Sequence, residues 1–116
     1  MTKLTVDIAL GNKDIIKMLT VPAHSTKTPG LVIARNYRGN NADGNPTFNK
    51  SWQIVHQSSG YRIMTVLMLN DARKYAELLG SVLDWTQPLE VIQQQYIEHS
   101  KELCRIRDES RVSTNW

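Results

Sequence analysis

The sequence has a single cysteine, Cys104, and its three histidines lie far apart. One cysteine excludes an internal disulfide and a zinc site built from several thiolates. His24, His56 and His99 form neither an HExxH nor an HxH spacing, so the sequence indicates no metal site and no cofactor. No apolar run approaches the roughly 20 residues of a bilayer-spanning helix, and the first residues lack a signal-peptide pattern. We therefore expect a cytoplasmic protein that does not insert into a membrane.

The composition that remains is typical of a globular protein. The 116 residues are 41% hydrophobic and 22% charged, and a chain of this length buries enough surface to fold without disulfides or metal. We expect one domain over residues 1–116, mainly β over residues 1–69 and helical over residues 70–116.

The charge of the chain changes sign along its length. Residues 1–69 hold eight Lys/Arg and three Asp, a net charge of +5, whereas residues 70–116 hold six Lys/Arg and eight Asp/Glu, a net charge of −2. A positive half attracts an anionic ligand, a nucleic acid or the acidic half of another copy. The asymmetry alone does not choose among these partners.

Hydrophobic patterns predict strands in the first third of the chain. Residues 4–10 alternate apolar side chains with smaller or polar ones, and residues 31–37 are rich in β-branched side chains, so each range predicts a strand. Residues 12–19 fit either a short helix or a second strand. The composition of residues 22–29 predicts a loop.

A hairpin is the clearest local unit of the sequence. Residues 38–50 contain four Asn, two Gly and one Pro, which predicts a long irregular loop, either a binding segment or a disordered one. Strands are then expected over residues 51–57 and 61–66, because Gly60 suits the tight turn between them. On the first of these strands Trp52, Ile54 and His56 share one face.

Two helices are predicted to complete an α+β fold, in which an antiparallel sheet precedes two C-terminal helices. Asn70 and Asp71 are expected to cap the first helix, which would end near Trp85. Pro88 suits the first turn of a second helix that runs to about Asp108. Its seam of apolar residues at steps of three and four comprises Leu89, Ile92, Tyr96, His99, Leu103 and Ile106, with Val91, Ile97 and Cys104 off the seam. So much apolar surface predicts a homodimer or higher homo-oligomer through this helix.

Motifs for catalysis are missing from the sequence. It contains no nucleophile elbow, P-loop or dinucleotide fingerprint, and no Ser or Cys nucleophile stands at a recognised spacing from a base. We therefore expect a non-enzymatic protein. His56 and His99 each fit either a hydrogen-bonded core or interface histidine or a ligand contact.

The C-terminal arginines are the strongest candidates for ligand binding. Arg107 and Arg111 stand four residues apart, so they share one helical face and can bracket phosphates. Asp108 and Glu109 either pair with these arginines in solvent or accept hydrogen bonds from a ribose or a base. Trp116 and Trp85 can each stack on a base, although a tryptophan at a helix end often serves packing instead.

The order of these segments resembles the phage Thoeris anti-defence proteins of the first Tad type. The resemblance rests on the Trp-containing strand SWQIVHQ, which turns at SSG into YRIM, and on the following NDARKYAELLGSVLDWTQP. It implies a homo-oligomeric sponge that binds cyclic ADP-ribose isomers from bacterial TIR-domain enzymes, in the host cytoplasm, without cleaving them. Arg107 and Arg111, with Glu109 between them, fit the family's ligand site. Trp116 and His99 are the two further ligand-binding candidates that the sequence offers.

An alternative function is a small nucleic-acid-binding or protein-inhibiting module of phage or mobile-element origin. In that case the basic side chains of the predicted sheet and its loop, Arg35, Arg38, Lys50 and Arg62, would contact phosphates. A nucleic-acid binder loses affinity steeply with salt, whereas a nucleotide sponge needs a concave and largely preformed pocket.

Overall fold

The chain folds as an antiparallel β-sheet followed by helices, in a computed structural model that describes residues 4–11 and 16–114 and, within them, the side chains of residues 4–8 and 18–109. The elements are β1 (Thr5–Gly11), β2 (Ile16–Ser25), β3 (Leu31–Asn40), β4 (Pro46–His56), β5 (Arg62–Val66), α1 (Leu69–Gly80), α2 (Leu89–Glu98) and α3 (Ser100–Thr114). Strand order in the sheet follows chain order. The α+β class is confirmed, with three helices in the described residues where two were expected.

The sheet is covered on both faces, because alternate residues of its central strands enter two separate cores. Leu31 and Ile33 of β3 belong to a core that also contains side chains of the helices, which we call the helix-side core. Val32 and Ala34 belong to a second core that contains side chains of the β1–β2 ribbon, which we call the ribbon-side core. The other buried members of the helix-side core are Ile54, Met64, Val66, Ala72, Tyr75, Ala76, Leu79, Leu83, Trp85, Ile92, Leu103 and Ile106. The ribbon-side core adds Val6, Ile8, Val21 and Val55. A strand buried on both faces reads as a continuous apolar run, as residues 31–34 do.

Strand β2 belongs mainly to a two-stranded ribbon with β1. It pairs with β1 from Ile16 to Pro22 but with β3 only over the last residues, 23–25. The strand alternative for residues 16–19 is thus confirmed, whereas residues 12–15 lie outside the described part of the chain. The loop predicted over residues 22–29 is wrong for residues 22–25, which continue β2. Ala23 N donates to Leu4 O of the β1 side (2.9 Å), so the missing N–H of Pro22 falls on the side without a partner strand.

The loop predicted over residues 38–50 is wrong, since most of it extends β3 and β4 into a long hairpin. Only residues 41–45 form the turn, where Asn41 Oδ1 accepts the backbone N–H groups of Asp43 (2.9 Å) and Asn45 (3.0 Å). Below the turn, the rings of Tyr37 and Phe48 meet edge to face at 6.3 Å. The Asn and Gly residues therefore stabilise the turn, and cross-strand aromatic packing stabilises the paired strands below it.

The predicted hairpin around Gly60 is confirmed, and it places His56 in the core. His56 is fully buried, its Nε2 lies 3.0 Å from the Gln87 carbonyl and its Nδ1 lies 2.7 Å from the Ser59 hydroxyl. Because a carbonyl only accepts, Nε2 carries the proton and Nδ1 accepts from Ser59. His56 is thus a hydrogen-bonded core histidine that joins the hairpin to the segment before α2.

Helix α1 is shorter than expected and is capped differently. Met68 is its N-cap and makes no side-chain capping bond, so Asn70 and Asp71 lie inside the first turn instead of capping it. The helix ends at Gly80, before the expected Trp85, because Trp85 folds back: its buried indole N–H donates to the carbonyl of Leu79 at 2.9 Å. The same carbonyl also accepts the backbone N–H groups of Val82 (3.0 Å) and Leu83 (3.2 Å), so the indole is held against the end of α1 and Trp85 serves packing.

The long second helix of the prediction is two helices that meet at His99. His99 ends α2 with φ −109° and ψ 23°, outside the α region. The seam faces this chain's own helix-side core through Ile92, Leu103 and Ile106. His99 is exposed and therefore leaves the seam. The apolar residues that remain exposed on α2 are Val91 (36%) and Ile97 (75%). The seam thus contributes to the core of its own chain, and the homo-oligomer stays a prediction.

The loop of residues 26–30 joins the sheet to the helical part. Thr28, itself buried, donates its hydroxyl to the carbonyl of Ala76 in α1 (2.7 Å). The carbonyl of Gly30 accepts the N–H of Gln57 in the turn between β4 and β5 (2.8 Å). Gly30 also lies against the backbone of Trp85. Three parts of the fold therefore meet at this loop.

Candidate ligand-binding site

Arg107 and Arg111, which are predicted to bracket phosphates and which we call the arginine clamp, lie near the end of α3. Arg107 is exposed, and its Nη2 lies 3.6 Å from Cys104 Sγ. Arg111 follows one turn later in the helix, and its side chain lies outside the described part. Glu109 is two residues from each arginine, which places it about 200° around the helix from both. The structure therefore keeps Arg107 and Arg111 on one face but turns Glu109 away from them.

The other two predicted ligand contacts do not join this cluster. His99 lies eight residues before Arg107, about 12 Å along the axis of α3. Trp116 lies outside the described residues. The neighbouring Arg105 is paired within the helix, since its Nη2 lies 2.8 Å from Glu102 Oε2, and this hydrogen bond raises the pKa of Arg105. Arg105 thus forms a solvent-exposed ion pair with Glu102 of its own helix.

A second and more enclosed candidate lies on the sheet, where β2 crosses to β3. We call it the Trp52 pocket. It has a volume of about 210 Å³ and is lined by Val21, Pro22, His24, Arg35, Phe48 and Trp52. Arg35 and Trp52 are direct cross-strand partners on β3 and β4, so the sheet register itself brings the cation to the indole.

The geometry around Trp52 is suited to a flat ring. The guanidinium carbon of Arg35 lies 4.3 Å from the centroid of the Trp52 ring, a cation–π contact. Arg35 Nη1 is 3.4 Å from the carbonyl of Asn49, which positions the guanidinium. The His24 ring meets the indole edge to face, with centroids 5.4 Å apart. Indole faces and guanidinium planes both stack on nucleobases.

The walls of the Trp52 pocket are fixed by the two cores. Val21 is buried in the ribbon-side core, while the half-buried Trp52 packs against the helix-side core. His24 and Arg35 are exposed and form the mouth. An apolar cavity with one cation at its mouth offers stacking inside and hydrogen-bond donors outside.

Sequence reasoning recognised parts of this pocket without assembling it. The sequence predicts that Trp52 shares one strand face with Ile54 and His56, and it offers Arg35 for phosphate contacts in the nucleic-acid alternative. His24 stood in a segment interpreted as a loop, so nothing placed it beside Trp52. The available signal was an arginine on the strand predicted over residues 31–37 and a tryptophan on the strand predicted over residues 51–57, but nothing in the sequence placed these two strands side by side.

Comparisons with known proteins identify no relative of this chain. The chain matches no family model, no curated protein and no solved structure. Among residues 4–11 and 16–114, no helix has both the length and the apolarity needed to cross a membrane.

Proposed function

We propose that this chain is a non-enzymatic binding protein for a small nucleotide-derived ligand whose base occupies the Trp52 pocket. The single observation that supports this proposal is the stack of Arg35 on Trp52, at 4.3 Å, beside an apolar cavity. An indole and a guanidinium recognise a base through its π-face and leave its edges accessible to polar groups. In this proposal Trp52 is the aromatic residue on which the base stacks.

The volume of the Trp52 pocket limits what it holds. Pockets for drug-sized ligands span roughly 300–1,000 Å³, so a cavity of about 210 Å³ accommodates one ring system. The sugar and phosphates of a nucleotide would then lie outside the cavity, on the side of the exposed Arg35 and His24. A cyclic ADP-ribose isomer fits this arrangement, because its single adenine would occupy the cavity and its ribose and phosphates would lie outside.

The specific form of the proposal is sequestration of a cyclic ADP-ribose isomer, which would block TIR-based anti-phage defence. The resemblance to Thoeris anti-defence proteins supports this ligand, and a sponge releases it unchanged. His56 is fully buried and does not line the Trp52 pocket, so it does not contact a ligand held there.

Binding without turnover is tested by calorimetry and recovery of the ligand. We expect saturable binding of cyclic ADP-ribose isomers, and mass spectrometry should recover them unaltered after the protein is denatured. Adenosine is the matched minimal ligand, since it carries the base without phosphate. Recovery of a cleaved or linearised product would replace the sponge with an enzyme.

The predicted clamp on α3 gives a separate test. If Arg107 and Arg111 bind the ligand phosphates, Arg111→Ala should weaken binding about ten- to a hundredfold, and Arg107→Lys should also weaken it because lysine loses the planar fork. Circular dichroism should show an unchanged fold, since exposed helix ends tolerate such changes. Affinity equal to wild type in both variants would leave these arginines as a solvated helix end and would end the clamp hypothesis.

A second function is favoured by the surface of the β3–β4 hairpin. Arg38 and Lys50 are exposed there, close in sequence to the aromatic residues Tyr37, Phe48 and Trp52. Alternation of cations with stacking aromatics is typical of proteins that bind single-stranded nucleic acid. Short oligonucleotides should then bind more tightly with length and lose affinity steeply with salt, whereas a nucleotide sponge should prefer the cyclic ligand.

A further inference from the structure

A second concave site lies between the end of β2 and helix α1. We call it the α1 cleft. Its volume is about 500 Å³, and it is lined by Ser25, Thr26, Lys27, Asn70, Arg73, Lys74 and Glu77. Three of these side chains are cationic and one is anionic, so the lining carries an excess of positive charge.

The excess charge is concentrated on α1. Lys27 Nζ lies 3.4 Å from Glu77 Oε1, so these two charges compensate each other. Arg73 and Lys74 are exposed and make no ion pair with any residue that the structure describes. Lys74 Nζ instead lies 5.5 Å from the centroid of the Tyr75 ring. The α1 cleft thus presents one guanidinium fork and one ammonium group to an incoming anion.

The wall opposite α1 is held in place before any ligand arrives. The Thr26 hydroxyl lies 2.8 Å from the Leu31 carbonyl and accepts the N–H of Thr28 at 3.1 Å. The buried bond from Thr28 to Ala76 fastens the same loop to α1. A preformed wall reduces the ordering cost of binding.

The α1 cleft and the Trp52 pocket meet the same end of β2, on the side of the sheet that α1 covers. His24 is the cross-strand partner of Ile33, which lies in the helix-side core, and cross-strand partners project to the same face. His24 lines the Trp52 pocket, and the next residue, Ser25, lines the α1 cleft. Consecutive Cα atoms are about 3.8 Å apart. A ligand that places its base at Trp52 therefore has a polar, positively charged cleft at the neighbouring position of the same strand.

We propose that the α1 cleft is the phosphate subsite for the ligand whose base occupies the Trp52 pocket, with Arg73 and Lys74 as its phosphate contacts. The ligand class is a nucleoside diphosphate or a nucleotide with a pyrophosphate bridge, because the cleft has room for more than one phosphate and offers two cations. This inference rests on the proposed function. It assigns the ligand's phosphates to α1, so it competes with the assignment of the same phosphates to Arg107 and Arg111 on α3, which Arg111→Ala tests.

The test is a calorimetric series of adenosine, AMP and ADP on the full chain and three variants. For the wild type we expect the affinity to rise about tenfold or more from adenosine to ADP. Arg73→Ala and Lys74→Ala should each remove about tenfold of the ADP affinity and leave adenosine affinity unchanged. Lys101→Ala is the matched control, since Lys101 is an exposed cation on α3, and it should bind all three ligands as the wild type does.

The outcomes separate the inference from the function on which it rests. If wild-type protein binds adenosine and ADP equally, or if Arg73→Ala and Lys74→Ala bind ADP as tightly as Lys101→Ala, the phosphate subsite is wrong and the base pocket stands. If adenosine and ADP both fail to bind, the proposed function fails, and the subsite fails with it. A titration with pyrophosphate then shows whether the α1 cleft is an anion site unrelated to a base.

Discussion

Replacing Gly30 with alanine is expected to lower the free energy of unfolding by about 2–5 kcal/mol. Gly30 has a φ of 91°, in the left-handed region that alanine enters at a cost of roughly 1–2 kcal/mol. A Cβ there would also overlap the carbonyl of Trp85 and lie 2.8 Å from Thr86 N. Both contacts are with backbone atoms, so relief requires the whole linker between α1 and α2 to move.

The loss is large for a domain whose total stability is about 5–15 kcal/mol, and the midpoint of thermal unfolding should fall by roughly 8–20 °C. Gly44→Ala is the matched control, because Gly44 has a φ of 82° but nothing within 4 Å of an added Cβ. It isolates the backbone cost from the clash. Equal unfolding midpoints in urea for the two variants would show that Gly30 is not tightly packed against the linker.

Replacing Trp52 with alanine is expected to weaken binding of adenosine and of cyclic ADP-ribose isomers about ten- to a hundredfold, the effect of losing one base–aromatic stack. The variant also leaves Arg35 without its cation–π partner. Trp52→Phe should recover part of the affinity, since a smaller ring still stacks. Calorimetry of the two variants measures the difference directly.

A loss of folding would imitate this result, because Trp52 packs against the helix-side core. Tyr96→Ala is the control, since Tyr96 is also half-buried against that core but does not line the Trp52 pocket. Both alanine variants should lose some stability, about 2 kcal/mol each, while only Trp52→Ala loses the ligand. If Tyr96→Ala weakens binding to the same degree, the effect of Trp52 is structural and the base pocket is not supported.

Local patterns predicted the elements whose signals are themselves local. The Gly60 hairpin follows from turn chemistry, and the start of the helical half follows from spacing. The break at His99 was missed because Leu103 and Ile106 continue the period of Ile92: both helices bury their apolar side against the same core, so the sequence shows one uninterrupted helix. Neither glycine nor proline marks the junction.

Contacts between segments that are far apart in the sequence explain the other differences between the predictions and the structure. Residues 38–40 and 46–50 have the composition of a loop, yet pairing between β3 and β4 makes them strands, with Tyr37 against Phe48. The Trp52 pocket needs His24 opposite Ile33, a register fixed by only three residue pairs between β2 and β3. No local pattern carries such a register, so sequence reasoning located the C-terminal arginines and not this pocket.

The attachment of residues 26–30 to both α1 and the β4–β5 turn has a kinetic consequence. A loop bonded to two elements does not open without disrupting them, so it does not act as a gate for the α1 cleft. A ligand of the proposed site would therefore enter at a rate set by diffusion and by attraction to Arg73 and Lys74 of the cleft, and added salt would slow this entry. Selectivity among related ligands would then reside in how long each one stays bound.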